Sequence, residues 1–192
     1  MNEALEYYEN NPLVWSVGGY TVPMELPEDY FHDIILTQRS SSYAWGTWKN
    51  RWDKIDWEVK DYRKTHWNFR VRKKFNYWGN DRASMLDDQM IGKVNSWAIR
   101  FDYAMFKHGM FNIIPSYSLI NSIGHDGSGT HSTIDERGVD PFNIDLRKAK
   151  KQFKFENVKV DERIIKKFCE YLKLSSLYRF KNFVVNLLGG IR

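Results

Sequence analysis

The sequence predicts an α/β lobe with few, short strands and several helices, followed by a helical C-terminal tail. Short runs at Val14 to Val17, Ile34 to Leu36 and Phe111 to Ile114 have the length of buried strands and carry β-branched residues. The segments between them place apolar residues at helical spacing. The chain has 192 residues, 42% hydrophobic and 16% aromatic, which is enough for one core and argues against disorder.

In chain order, Asn2 to Asn10 reads as a helix, with Leu5 and Tyr8 at helical spacing, and Asn10-Asn11-Pro12 ends it. Val14 to Val17 is the first strand, stopped by Gly18-Gly19. Pro23 and Pro27 mark a loop, and Ile34 to Leu36 leads into Arg39 and a serine run. Trp45, Trp48 and Trp52 follow at i, i+3, i+7, the spacing of one helical face. Asp61 to Phe75 reads as one basic helix. Asn80 and Asp81 are good N-caps for a helix carrying Met85, Leu86, Met90 and Ile91. Another helix runs through Trp97, Phe101 and Met105 to Gly109. Phe111 to Ile114 is a strand that Pro115 stops. Ser116 to Pro141 has loop composition.

The character changes near residue 148, which divides the chain into a lobe (1–147) and a basic tail (148–192). Phe153-Lys154-Phe155 and Val158-Lys159-Val160 alternate like an edge strand. Basic amphipathic helices are expected over Glu162 to Leu172 and Ser175 to Leu188, and such helices can lie on an anionic membrane or pack on their own domain. A mean hydropathy of −0.60 argues against an integral membrane protein. The single cysteine, Cys169, excludes an intrachain disulfide and fits a reducing, cytoplasmic setting. The net charge of +5 permits phosphate-bearing ligands or a membrane surface. A nucleic-acid partner is not expected, because no recognition motif accompanies the charge.

Three rows carry a resemblance. SSSYAWGTWKNRWDKIDW (Ser40 to Trp57), FNYWGNDRASMLDDQMIGKVNSWAIRFDY (Phe75 to Tyr103) and IIPSYSLINSIGHDGSGTHS (Ile113 to Ser132) resemble, in order, segments of bacterial GT-A-fold glycosyltransferases that build surface polysaccharides. The resemblance covers residues 2–132 and implies a partial GT-A lobe, the acceptor-side half of the enzyme. The nucleotide-binding half, with its Asp-X-Asp motif for Mg²⁺ or Mn²⁺, is then expected on polypeptide preceding Met1. The implied reaction moves a sugar from a nucleotide-diphospho-sugar to a glycan or lipid-linked acceptor. The alternative is a non-catalytic carbohydrate-binding or assembly module on the same scaffold. A halved lobe is expected to leave a sheet edge and an apolar face open, favouring a homo-oligomer. Lipid-linked acceptors would bring the chain to the inner membrane face, with the tail as the contact.

The resemblance also nominates residues. Asp81 is the expected general base, with Asp87 and Asp88 as second choices; the competing readings are an N-cap for Asp81 and surface carboxylates for the pair. His131 is the candidate metal or diphosphate ligand, with Ser128 in the same Gly-rich loop. Gly19, Arg39 and Arg51 are candidates for the diphosphate, and Trp45 and Trp48 for stacking on a sugar ring. Against these stand a turn, surface charges and core tryptophans.

Overall fold

The computed structural model describes residues 1–121, 146 and 152–171. Four short strands, β1 (Val14–Gly18), β2 (Ile34–Thr37), β3 (Trp45–Thr47) and β4 (Phe111–Pro115), form one mixed sheet in the order β2-β4-β1-β3. β1 and β4 are parallel, whereas β2 runs antiparallel to β4 and β3 antiparallel to β1. A parallel pair cannot be closed by a hairpin, and the connection from β1 to β4 contains most of the helices. These are α2 (Lys49–Trp52), α3 (Tyr62–Trp67), α4 (Phe69–Phe75), α5 (Arg82–Met90) and α6 (Trp97–Lys107), with a 3-10 turn at Asn76–Trp78. α1 (Asn2–Tyr8) precedes the sheet and α7 (Glu162–Tyr171) follows it. The α/β class is as expected.

Alternation along β2 and β4 splits the core. Ile34, Leu36 and Ile113 face one side with Ala4 and Tyr8 of α1. Ile35 and Ile114 face the other side with Tyr20, Val22 and the α7 residues Ile164 and Phe168. Strict alternation would separate Val14 from Val17, yet both join the α1 side. A register shift between Val14 and Ser16 accounts for this, because one extra residue restores the facing. Trp15 points into a third cluster with Phe101, Met105 and Met110, which roots α6 against the sheet.

Four expectations change. Trp45, Trp48 and Trp52 do not share a helical face: Trp45 lies in β3, Trp48 precedes α2 and Trp52 ends it. The basic helix is two helices, broken at Asn68, whose side chain accepts from Val71 N at 3.2 Å and so caps α4. Residues 153–160 form neither helix nor ladder among the described residues; Phe153, Phe155, Val158 and Val160 pack on the α1 side of the sheet instead. Their alternation reflects one buried side rather than strand pairing.

The fourth change concerns the apolar face expected to lie open. Both sides of β2 and β4 are covered by the chain itself, one by α1 and residues 153–160, the other by α7. The apolar side of α7 is therefore core, with Ile164, Ile165 and Phe168 all buried. The second tail helix, His131 and Ser128 lie outside the described residues. No helix among the described residues is long and apolar enough to cross a membrane.

Candidate functional site

Arg39 follows β2 and Asp81 begins α5, and they meet through a bidentate ion pair. Nη1 donates to Oδ1 at 2.6 Å and Nη2 to Oδ2 at 2.7 Å. Gly79 makes room for it. A Cβ there would stand 2.4 Å from Arg39 Nη1 and 2.7 Å from Asp81 Oδ1, and its φ of +142° is one that side chains resist. Asp81 occupies the N-cap position of α5, but its carboxylate makes no cap bond. Asn76 takes that duty, accepting from Ala83 N at 2.8 Å through its side-chain oxygen. Asp81 is thereby left to Arg39.

Behind this pair lies a second one. Arg82 is fully buried, donating to the Phe75 carbonyl at 2.9 Å, with its guanidinium 4.2 Å above the Phe75 ring. Its Nη2 lies 3.7 Å from an Asp102 carboxylate oxygen. Asp102, on α6, also accepts from Ser40 N at 3.0 Å and Ser40 Oγ at 2.5 Å. Two cations thus balance two anions in one partly buried cluster.

Burial pushes Asp102 above the ordinary carboxylate value, against the pull of Arg82, Ser40 and Arg39. Burial also lowers Arg82 to about 10, with Asp102 opposing and the Arg39 charge adding to the fall. For Arg39, burial disfavours the charge, but hydrogen bonds and charge from Asp81, with further charge from Asp102, outweigh it and hold the guanidinium above its usual value. Cys169 reaches the same region from α7 and donates to the Tyr77 carbonyl at 3.4 Å. Burial raises its thiol above the usual value, against the pull of Arg39.

Asp87 and Asp88 are not surface carboxylates: both are buried. Asp87 Oδ1 accepts from Tyr62 OH (3.0 Å), His66 Nδ1 (3.0 Å) and Arg72 Nη1 (2.9 Å), while Oδ2 accepts from Arg72 Nη2 (2.7 Å). Three of these four bonds converge on Oδ1 and one on Oδ2, so α3 and α4 hold the carboxylate tightly and only Oδ2 keeps an acceptor site to spare. The work of Asp87 is to tie α3 and α4 to α5. Asp88 pairs with Lys93 at 3.2 Å.

Arg51 is also buried rather than a free surface charge. It donates to the carbonyls of Glu9 (2.6 Å), Asn11 (3.2 Å) and Val14 (3.4 Å), and lies 4.9 Å from the Trp48 ring centre. These bonds close the turn after α1, and Trp48 packs partly buried on the α1 side of the sheet. Trp45 stacks on Trp97 at 4.9 Å and on Trp52 at 6.3 Å, within a half-buried aromatic cluster. Gly19 donates to the Ala44 carbonyl at 2.7 Å and accepts from Leu119 N at 2.9 Å. It borders a cavity of about 210 Å³ in which Glu3 is the one charged side chain among the described residues.

Of the nominated residues, the structure therefore brings together Arg39 and Asp81. Sequence reasoning missed Gly79, Arg82, Asp102 and Ser40. A glycine ahead of a capping position was the one signal available. The implied Mg²⁺ or Mn²⁺ finds no seat among the described residues. No group of three or more His, Cys, Asp or Glu that could hold a metal ion occurs there. Asp81 and Asp102 each already face a guanidinium, which would repel a divalent cation.

The chemistry open to this site is recognition and proton acceptance. Arg39 occupies two of the acceptor sites of Asp81 and leaves two unused, and the side chains keep 17% and 10% exposure. Comparison with protein-family models, curated proteins and solved structures returned no match.

Proposed function

We propose that the chain is the acceptor-side half of a GT-A-type sugar transferase, with Asp81 as the general base and Arg39 holding it in place. The observation that supports this most is the meeting of Arg39 and Asp81, 42 residues apart, across the glycine at position 79. The rows that carry the resemblance also interlock: Ser40 of the first binds Asp102 of the second. The third begins within β4, which pairs with β1 and β2.

In this reading an acceptor hydroxyl hydrogen-bonds to the remaining lone pairs of Asp81. As the acceptor oxygen attacks the anomeric carbon, its proton passes to the carboxylate, and the bond to the diphosphate breaks with its electron pair. Charge on the departing diphosphate needs a partner, and in this reading the partner lies on polypeptide outside this chain. The chain alone is therefore expected to bind an acceptor without turning over.

The bidentate grip of Arg39 favours a second reading, a carbohydrate-binding module in which the pair is a recognition fork. Titration of the isotope-labelled chain with oligosaccharides tests both. Shifts at the Ser40, Gly79 and Asp81 amides are expected, and a glycan that binds while leaving them unmoved overturns the site. An in-frame Asp-X-Asp segment upstream of Met1 sides with the enzyme, and a stop codon there sides with the module. Robust sugar transfer by this polypeptide alone overturns the division of labour.

A further inference from the structure

Residues 62–80 contain no Asp or Glu but hold Arg63, Lys64, Arg70, Arg72, Lys73 and Lys74. The whole chain carries a net charge of +5, so without this stretch it would be slightly acidic. Arg72 is committed to Asp87. Arg70, Lys73 and Lys74 are solvent-facing and make no ion pair among the described residues. They line an open groove of about 790 Å³ together with Phe69, Tyr77 and Phe106. At the junction of α3 and α4, Trp67 and Phe69 are each 77% exposed.

Two large aromatic side chains standing clear of a core, beside solvent-facing cations, are out of place on a surface meant only for water. Their position has a local cause. The break at Asn68 turns the chain sharply, so the residues on either side project from a corner. We propose that this corner is a docking surface for an anionic phospholipid bilayer, with Trp67 and Phe69 entering the headgroup region and Arg70, Lys73 and Lys74 facing lipid phosphates. Charge complementarity selects an anionic partner. The aromatic pair favours a bilayer over a ring-free polyanion such as heparin, because indole and phenyl rings both gain from the interfacial layer, and a nucleic acid, whose bases could stack on the rings, is the competitor the test must separate. The surface is distinct from the tail and does not depend on the sugar-transfer reading.

The test is co-sedimentation of the full chain with phosphatidylcholine vesicles, with and without phosphatidylglycerol. Binding is expected only to the anionic vesicles and should weaken with salt. Lys73→Ala and Lys74→Ala should each reduce partitioning by about fivefold. Trp67→Ser with Phe69→Ser should abolish it without lowering the melting temperature, since neither ring is buried. As a second readout, brominated lipid should quench the wild-type fluorescence more than that of Trp67→Phe. Failure of the wild type to bind anionic vesicles overturns the proposal. So does binding that survives the aromatic and lysine variants, which would put the contact elsewhere, the tail included. Tight binding to heparin or a single-stranded oligonucleotide with no binding to vesicles would assign the corner to a polyanion instead.

Discussion

Asp81 and Asp87 sit at the start and in the body of the same helix, both are buried, and each grips one arginine with both oxygens. They differ in what surrounds the grip. Asp87 also receives Tyr62 and His66, so four bonds from three side chains of α3 and α4 converge on it. Among the described side chains Asp81 receives Arg39 alone, and Asn76 has relieved it of capping. The same residue type on one helix is a rivet in one place and a carboxylate with acceptor sites unused in the other. Counting donors separates the two roles where burial and residue type do not.

Beneath Asp81, the Arg82–Asp102 pair sets the upper end of the energy scale. Asp102→Ala leaves the fully buried Arg82 guanidinium without its counter-charge and frees Ser40 from its acceptor. Removing one partner of a buried pair costs about 3–5 kcal/mol, so chemical denaturation should show a larger loss for this change than for any substitution at Asp81 or Asp87. A loss below about 1 kcal/mol would mean that water already reaches Arg82, and the cluster would then be no rigid floor for Asp81.

The two aspartates can next be set against each other. Asp87→Ala removes the acceptor for three side chains and should cost about 2–3 kcal/mol, while Asp81→Ala, with one partner lost, should cost about 1–2 kcal/mol. Function should rank in the opposite order. Asp81→Asn is expected to abolish response to an acceptor glycan, and Asp87→Asn to preserve it in whatever fraction stays folded. Equal stability losses together with equal functional losses would erase the distinction between the rivet and the carboxylate with sites unused.

The sequence carried three of the four strands, β3 being missed, because a short β-branched run bounded by glycine or proline has few other uses, as at Val14 to Gly19 and Phe111 to Pro115. It also marked the helices around Leu86 and Phe101, whose apolar residues repeat at the right period. It misled at the tryptophans because i, i+3, i+7 spacing also fits a strand that turns into a helix. Gly46, between Trp45 and Trp48, pointed the other way: glycine is a poor helix former, and a Cβ there would stand 3.0 Å from Leu5 Cδ1.

The Arg39–Asp81 pair was not legible as a contact, because nothing local reports a partner 42 positions away. The burial of Asp87 was hidden for the same reason, since adjacent aspartates read as solvent-facing until Arg72 and His66 fold over one of them.

The smallest expected effect tests whether burial or distance is the better ruler. Lys49 and Asp53 lie 2.5 Å apart at i, i+4 on and just beyond α2, closer than any pair around Asp87. Yet their side chains are 86% and 54% exposed, so water competes for both charges and salt screens them. Lys49→Ala should change stability by no more than about 0.5 kcal/mol, with any effect fading in high salt. A loss matching that of Asp87→Ala would show that short contacts alone set the energies in this molecule. The donor count that separates Asp81 from Asp87 would then have to be replaced by bond length.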